Sequence, residues 1–219
     1  MYTYTHIKTD LMDRFEACFV AIGWVIHAFI CCFLSVIFIG SVHLREDYLK
    51  TMFGTVAINR NNQTLPIEFG MAVENNLYYC IWFLMRLREA LRHGREVSFI
   101  TDMNDVVSSC IEHVFPDSYH GYTSKIYAHK RRIWQNITTF VLNDIQLITM
   151  SDFEENICRL TPDAREILTN IGHAKWARVY FPNIRWNVVN IDVPHFFVLW
   201  VNQCNVLIIM LTESIRDYI

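Results

Sequence analysis

From Ala17 the chain reads ACFVAIGWVIHAFICCFLSVIFIGSV, 26 residues without Asp, Glu, Lys or Arg. Drawn as one helix, that run would be roughly 39 Å long and would cross a hydrocarbon core of ~30 Å with some tilt. A core helix of a globular domain normally keeps a polar stripe and is shorter. A cleaved signal peptide has an apolar region of only about 7–15 residues and a basic leading segment. Here Asp10, Asp13 and Glu16 precede the run. The run therefore predicts a transmembrane anchor over 17–42, with 1–16 as an N-terminal tail. His27 is its one strongly polar side chain and predicts a bond to a neighbouring helix.

Composition agrees with that expectation. Hydrophobic residues make up 53% and charged residues 19% of the 219, against roughly 45–50% and ~25% in soluble domains. Gly (7) and Pro (5) are too few for a disordered or turn-rich all-β chain. The net charge of −3 offers no basic excess, so nucleic acid is not an expected partner. Three of the seven cysteines (18, 31, 32) fall in the apolar run. Cys80, Cys110, Cys158 and Cys204 are scattered, with no CxxC pair. They read as disulfides in an oxidising compartment and as buried thiols in a reducing one.

After the run, 43–70 reads as a connector, with a polar turn from Asn59 to Thr64, then Pro66 and Gly70. Residues 71–219 read as a helical domain. Leu77, Ile81, Leu84, Leu87 and Leu91 fall on one helical face, and Gly94 ends it. Arg86, Arg88 and Arg92 make this an amphipathic basic helix suited to anionic lipid or a partner groove. A short helix follows from about Asp102 to Phe115. A longer amphipathic pattern runs from Ile126 to Ile148, where Lys130, Arg131 and Arg132 beside Trp134 suit a membrane interface. Ser151–Glu154 has the form of a capping box, and Thr161-Pro162 is a second helix start. Residues 195–211 are apolar nearly all round, interrupted by Asn202, Gln203 and Asn205. That pattern fits deep burial in a bundle, or a second membrane segment with Asn202 and Asn205 facing other helices.

Candidate chemistry is thin. Cys110 and His113 are one helical turn apart, with His120 and His129 downstream, a set of zinc-type ligands lacking a second close pair. There is no GxSxG, HExxH, P-loop or GxGxxG. Asn62 and Asn136 head N-x-T sequons, which are glycosylation acceptors on an extracytoplasmic face. No cofactor is expected.

These signals converge on a mostly α fold: an N-terminal transmembrane helix, a helical-bundle-like domain and a candidate second membrane-embedded helix at the C-terminus. The expected role is a non-enzymatic, membrane-anchored subunit or assembly factor. Its partners would be the lipid bilayer and other membrane subunits, in a homo- or hetero-oligomer. A pore or transport component built on the last helix, and a membrane-bound metal-dependent enzyme, are the alternatives.

Overall fold

The computed structural model describes residues 3–43, 51–61, 63–91, 96–102, 105–123 and 149–181. Within them the apolar run is broken into three pieces. It supplies most of β2 (Phe15–Ile22), all of α1 (Gly23–Cys32) and most of β3 (Val36–His43). No helix among the described residues is long and apolar enough to cross a membrane. At ten residues α1 is roughly 15 Å long, half of what a bilayer core requires. The transmembrane anchor at 17–42 and the mostly α fold are thus overturned, and the membrane assignment that rested on that anchor falls with it.

The physical reason is two-sided burial. Ala17, Phe19 and Ala21 of β2 enter one apolar cluster, while Cys18 and Val20 enter another on the opposite face. In β3, Ile37 and Ile39 take the first side, and Val36 and Phe38 the second. A strand buried on both faces loses its polar alternation and reads as a continuous hydrophobic run. Joined to a core helix, two such strands imitate one long apolar helix.

The other strands are β1 (Thr3–Thr9), β4 (Thr51–Ile58), β5 (Thr64–Ala72), β6 (Ser98–Thr101) and β7 (Tyr119–Tyr122). The segment expected as a connector at 43–70 therefore contains two central strands. All seven form one mixed sheet in the order β1-β2-β5-β4-β3-β6-β7. From β1 to β3 neighbouring strands are antiparallel, whereas β3, β6 and β7 run parallel. The parallel strands need crossovers. α2 (Leu77–Leu91) lies between β5 and β6, and α3 (Asp105–Val114) joins β6 to β7.

α1, α2 and α3 cover the first face and share its core. Phe83 of α2 is the main plug. Its ring stacks on Phe53 of β4 at 5.5 Å and meets Phe19 of β2 edge-on at 5.6 Å. Gly70 on β5 makes room for it, because a Cβ there would lie 2.7 Å from the Phe83 ring and 2.6 Å from the Cys18 carbonyl oxygen.

Beyond β7 come α4 (Met150–Cys158), α5 (Pro162–Ile171), α6 (His173–Trp176) and a 3-10 turn, Arg178–Tyr180. They enclose a small aromatic core of Phe153, Leu168 and Trp176. Thr161 caps α5 by accepting from Ala164 N, with Pro162 at the helix start, as the sequence predicts. The cap of α4 is Thr149 rather than Ser151, with its hydroxyl accepting from Asp152 N. Gly172 ends α5 at φ 87° and releases the chain into α6.

Candidate functional site

In mixed and parallel sheets, ligand chemistry gathers beyond the carboxyl ends of parallel strands, where loops diverge. Here strand register aligns Ala21, Glu68, Thr55, Ile39, Thr101 and Tyr122 in one row across β2, β5, β4, β3, β6 and β7. The row faces the helices and crosses β6 and β7 at their carboxyl ends. It is closed to solvent over its centre: Glu68 and Thr55 are 0% exposed, Thr101 1% and Ile39 2%.

Two titratable groups mark this region. Neither Glu68 carboxylate oxygen has a hydrogen-bond partner in satisfactory geometry, and burial drives its pKa well above the usual carboxylate value. The Thr55 hydroxyl across the strand pair opposes that rise only in part. Burial thus favours the protonated, neutral form of Glu68. On β7, His120 is 3% exposed, with Nε2 2.8 Å from Thr101 Oγ1 and Nδ1 unpartnered. Burial, reinforced by the Lys175 cation, pushes its pKa down to about 3. His120 is thus a neutral imidazole. Asp102 just past β6 is half-buried and accepts a 2.9 Å hydrogen bond from the Thr123 hydroxyl. Glu68 and His120 are four strands apart, roughly 19 Å, so they cannot share a proton directly.

The described members of the sequence-predicted ligand set, Cys110, His113 and His120, do not converge. Cys110 is fully buried on α3, and its thiol donates to Leu77 O at 3.7 Å. His113, one turn on, is exposed. His120 is committed to Thr101, and His129 lies outside the described residues. No group of three or more metal-type side chains occurs among the described residues. His27 is exposed on α1 instead of buried against a neighbouring helix, and its Nε2 lies 3.9 Å from Cys31 Sγ of its own helix. Arg86 pairs with Glu89 of its own helix at 2.8 Å. Arg88 donates to Val114 O at 3.0 Å and ties α2 to the end of α3. Arg92, Lys130, Arg131, Arg132, Trp134, Asn202, Asn205, Asn62 and Asn136 lie outside the described residues, as does the apolar segment 195–211.

A recess of 530 Å³ opens at the opposite end of the sheet. Phe29, Leu91 and Phe115 form its apolar wall, and Arg88, Glu96 and Asp117 its polar rim. Its size suits a small ligand. The one described cation on that rim is already spent on the Val114 carbonyl.

The two sheet edges differ more sharply than the interior sites. β7 has four residues and is overlaid by α6: Tyr119 OH donates to Ala174 O, and Gly121 is so close that a Cβ would sit 2.8 Å from Lys175 O. β1 has seven residues and exposes every second one, Thr3, Thr5, Ile7 and Thr9. It pairs only with β2 among the described strands. Edge lysines commonly deter strand addition. Lys8, however, is drawn away to Glu16 at 2.6 Å and lies over the Tyr78 ring at 5.2 Å. Next to it, Leu77 and Tyr78 are 48% and 56% exposed, and the hairpin tip carries Leu11 and Met12 at 106% and 76%.

Sequence reasoning places β1 in a tail, because a seven-residue alternation of Thr, Tyr, His, Ile and Lys is short and only weakly apolar. That alternation is the available signal. No family model and no curated protein matches the chain.

Proposed function

We propose that this protein is a non-enzymatic assembly subunit that associates with a second copy of itself by antiparallel pairing of the two β1 edges. The reading needs no bilayer. The observation that carries it is the unequal treatment of the edges: the short one is overlaid by α6, and the long one is open among the described residues, with its only charge turned inward. Strand pairing satisfies the backbone groups of an edge, and exposed apolar side chains beside it add area.

The composition of β1 suits self-pairing. An arrangement centred on His6 sets Thr3 opposite the partner's Thr9, Tyr4 opposite the partner's Lys8 and Thr5 opposite the partner's Ile7. No like charges face each other, and Thr–Thr and aromatic pairs are favourable across strands. A two-fold arrangement of this kind closes on itself and does not propagate into fibres. The non-enzymatic part of the reading draws support from the sealed polar row. Its acid, held toward the neutral form, and the neutral imidazole of His120 are buried and apart, so neither is presented to a substrate.

Sedimentation over a wide concentration range tests this. The wild-type chain is expected to show a monomer–dimer equilibrium. The double variant Thr5→Lys/Ile7→Lys, which sets like charges opposite one another on an already exposed face, is expected to stay monomeric with an unchanged fold. A wild-type chain that is monomeric throughout overturns self-pairing, and so does a double variant that dimerises as well as wild type.

A further inference from the structure

We propose that Cys80 and Cys110 form a modification site, an internal dithiol that oxidises to a disulfide stapling α2 to α3. The proposal is independent of β1 pairing. Both cysteines are free, and both belong to the core under the helices at 1% and 0% exposure. Cys110 Sγ lies 3.7 Å from Leu77 O, and Leu77 is one helical turn before Cys80, so the Cys110 sulfur reaches the turn that carries its partner. Each thiol also shifts the acidity of the other, as two sulfurs facing each other across the α2–α3 seam do. Disulfides require this kind of approach between neighbouring elements, with Cα atoms about 4.4–6.8 Å apart.

The pair also has a direction. The neighbouring Cys80 holds the Cys110 thiol below its ordinary value, while Cys110 and burial together raise Cys80. Cys18, buried on the opposite face, is pushed up to about 11 by burial and is a poor nucleophile. Exposed Cys31, Cys32 and Cys158 have no cysteine within hydrogen-bonding reach across another element among the described residues.

The oxidant class is a small aliphatic disulfide. The Cys110 thiolate attacks one of its sulfurs, and the S–S bond breaks, releasing one thiolate that takes up a proton. Cys80 then gives its proton to solvent and attacks the Cys110 sulfur of the mixed disulfide. The second small thiolate leaves and is protonated. Two electrons pass from the protein dithiol to the oxidant, and one protein disulfide and two small thiols result. Both sulfurs are buried, so the reaction passes through opening of the first turn of α2 and is slower than modification of the exposed cysteines.

The experiment is incubation of the full chain with oxidised glutathione, followed by alkylation, digestion without reduction and mass spectrometry. A peptide linking Cys80 to Cys110 is expected. Tm is expected to rise by roughly 5–10 °C, reversibly on reduction, because a loop of about 30 residues is closed in the unfolded chain. Cys80→Ala and Cys110→Ala should each abolish the linked peptide and the rise. The wild-type readout stands even where a variant folds poorly. Glutathione found only on Cys31, Cys32 and Cys158, with Cys80 and Cys110 both recovered as thiols, overturns the site. A linked peptide with unchanged Tm overturns the staple.

Discussion

The antiparallel half of the sheet, β1-β2-β5-β4, buries a carboxyl group and the parallel half, β3-β6-β7, an imidazole, and the two are treated in opposite ways. Glu68 in the first is buried and held toward its neutral form, without a hydrogen-bond partner in satisfactory geometry. His120 in the second is buried as a neutral base with one nitrogen on Thr101. The difference follows from how each half is covered. α2 drives an aromatic plug onto the antiparallel strands and leaves the carboxyl group only the Thr55 hydroxyl across the strand pair, which offsets its burial in part. The parallel strands end in Thr101, Asp102 and Thr123, which supply hydroxyl and carboxylate partners. Each half thereby acquires its own pH preference.

The largest expected effect tests whether the plug belongs to the antiparallel half. Phe83→Ala removes a ring packed on β2, β4 and β5, and should cost about 3–5 kcal/mol in denaturant unfolding. Phe99→Ala in the parallel half, where the ring meets Phe115 at 4.6 Å, should cost less, though within the same range. The reverse order would break the comparison.

Next come the two pH limbs. His120 has a folded value near 3 against 6.5, so its contribution is complete above about pH 6.5 and is lost as pH falls toward 3. The loss can reach a few kcal/mol, because each pH unit separating the folded from the unfolded value is worth ~1.4 kcal/mol. Glu68 has a raised folded value, so its contribution is complete below about pH 4.5 and is lost as pH rises toward that value. Unfolding free energies measured from pH 3 to pH 8 should show the acid limb flattened in His120→Gln and the neutral limb flattened in Glu68→Gln. If both substitutions flatten the same limb, the two halves do not have opposed preferences. Proton-detected titration of the His120 imidazole, still neutral at pH 5, would sharpen the assignment.

Gly70→Ala should cost about 1–3 kcal/mol, since its Cβ would press on both the Phe83 ring and the Cys18 carbonyl. Combined with Phe83→Ala, it should cost less than the sum of the two, because the clash with the ring is then gone while that with the Cys18 carbonyl remains. The smallest effect lies outside both halves. Glu155→Ala breaks a pair with Arg159 whose side chains are 69% and 67% exposed, and stability should change by no more than about 0.5 kcal/mol.

Local signals in the sequence are largely readable, and long-range ones are not. Thr161-Pro162 starts a helix because capping is decided within a few residues. The stripe Leu84, Leu87 and Leu91 is buried as periodicity predicts, but Leu77 is half exposed and Tyr79, Cys80 and Phe83 widen the buried face. The run Ala17–Val42 misleads because a strand buried on both sides and a membrane helix share one composition. What separates them is the distant partner strands, β5 for β2 and β6 for β3, 47 to 62 residues away. The interruptions at Gly23 and at Ser35 are the available hints. Of the candidate site, Cys110 and His120 read as metal ligands in the sequence, and both prove to be buried and bonded for other reasons. Glu68 gives no signal, since a lone carboxylate on a strand reads as solvent-facing until its neighbours are known.

The place of β3 between the two halves has a consequence for synthesis. Its antiparallel neighbour β4 follows at once, but its parallel neighbour does not, since Val36 pairs with Ser98, 62 residues later. At about 5–20 residues per second, that interval lasts roughly 3–12 s. Throughout it the newly made chain presents β3 with one side unpaired and both faces greasy, so the growing polypeptide is most in need of chaperone cover well before it is complete.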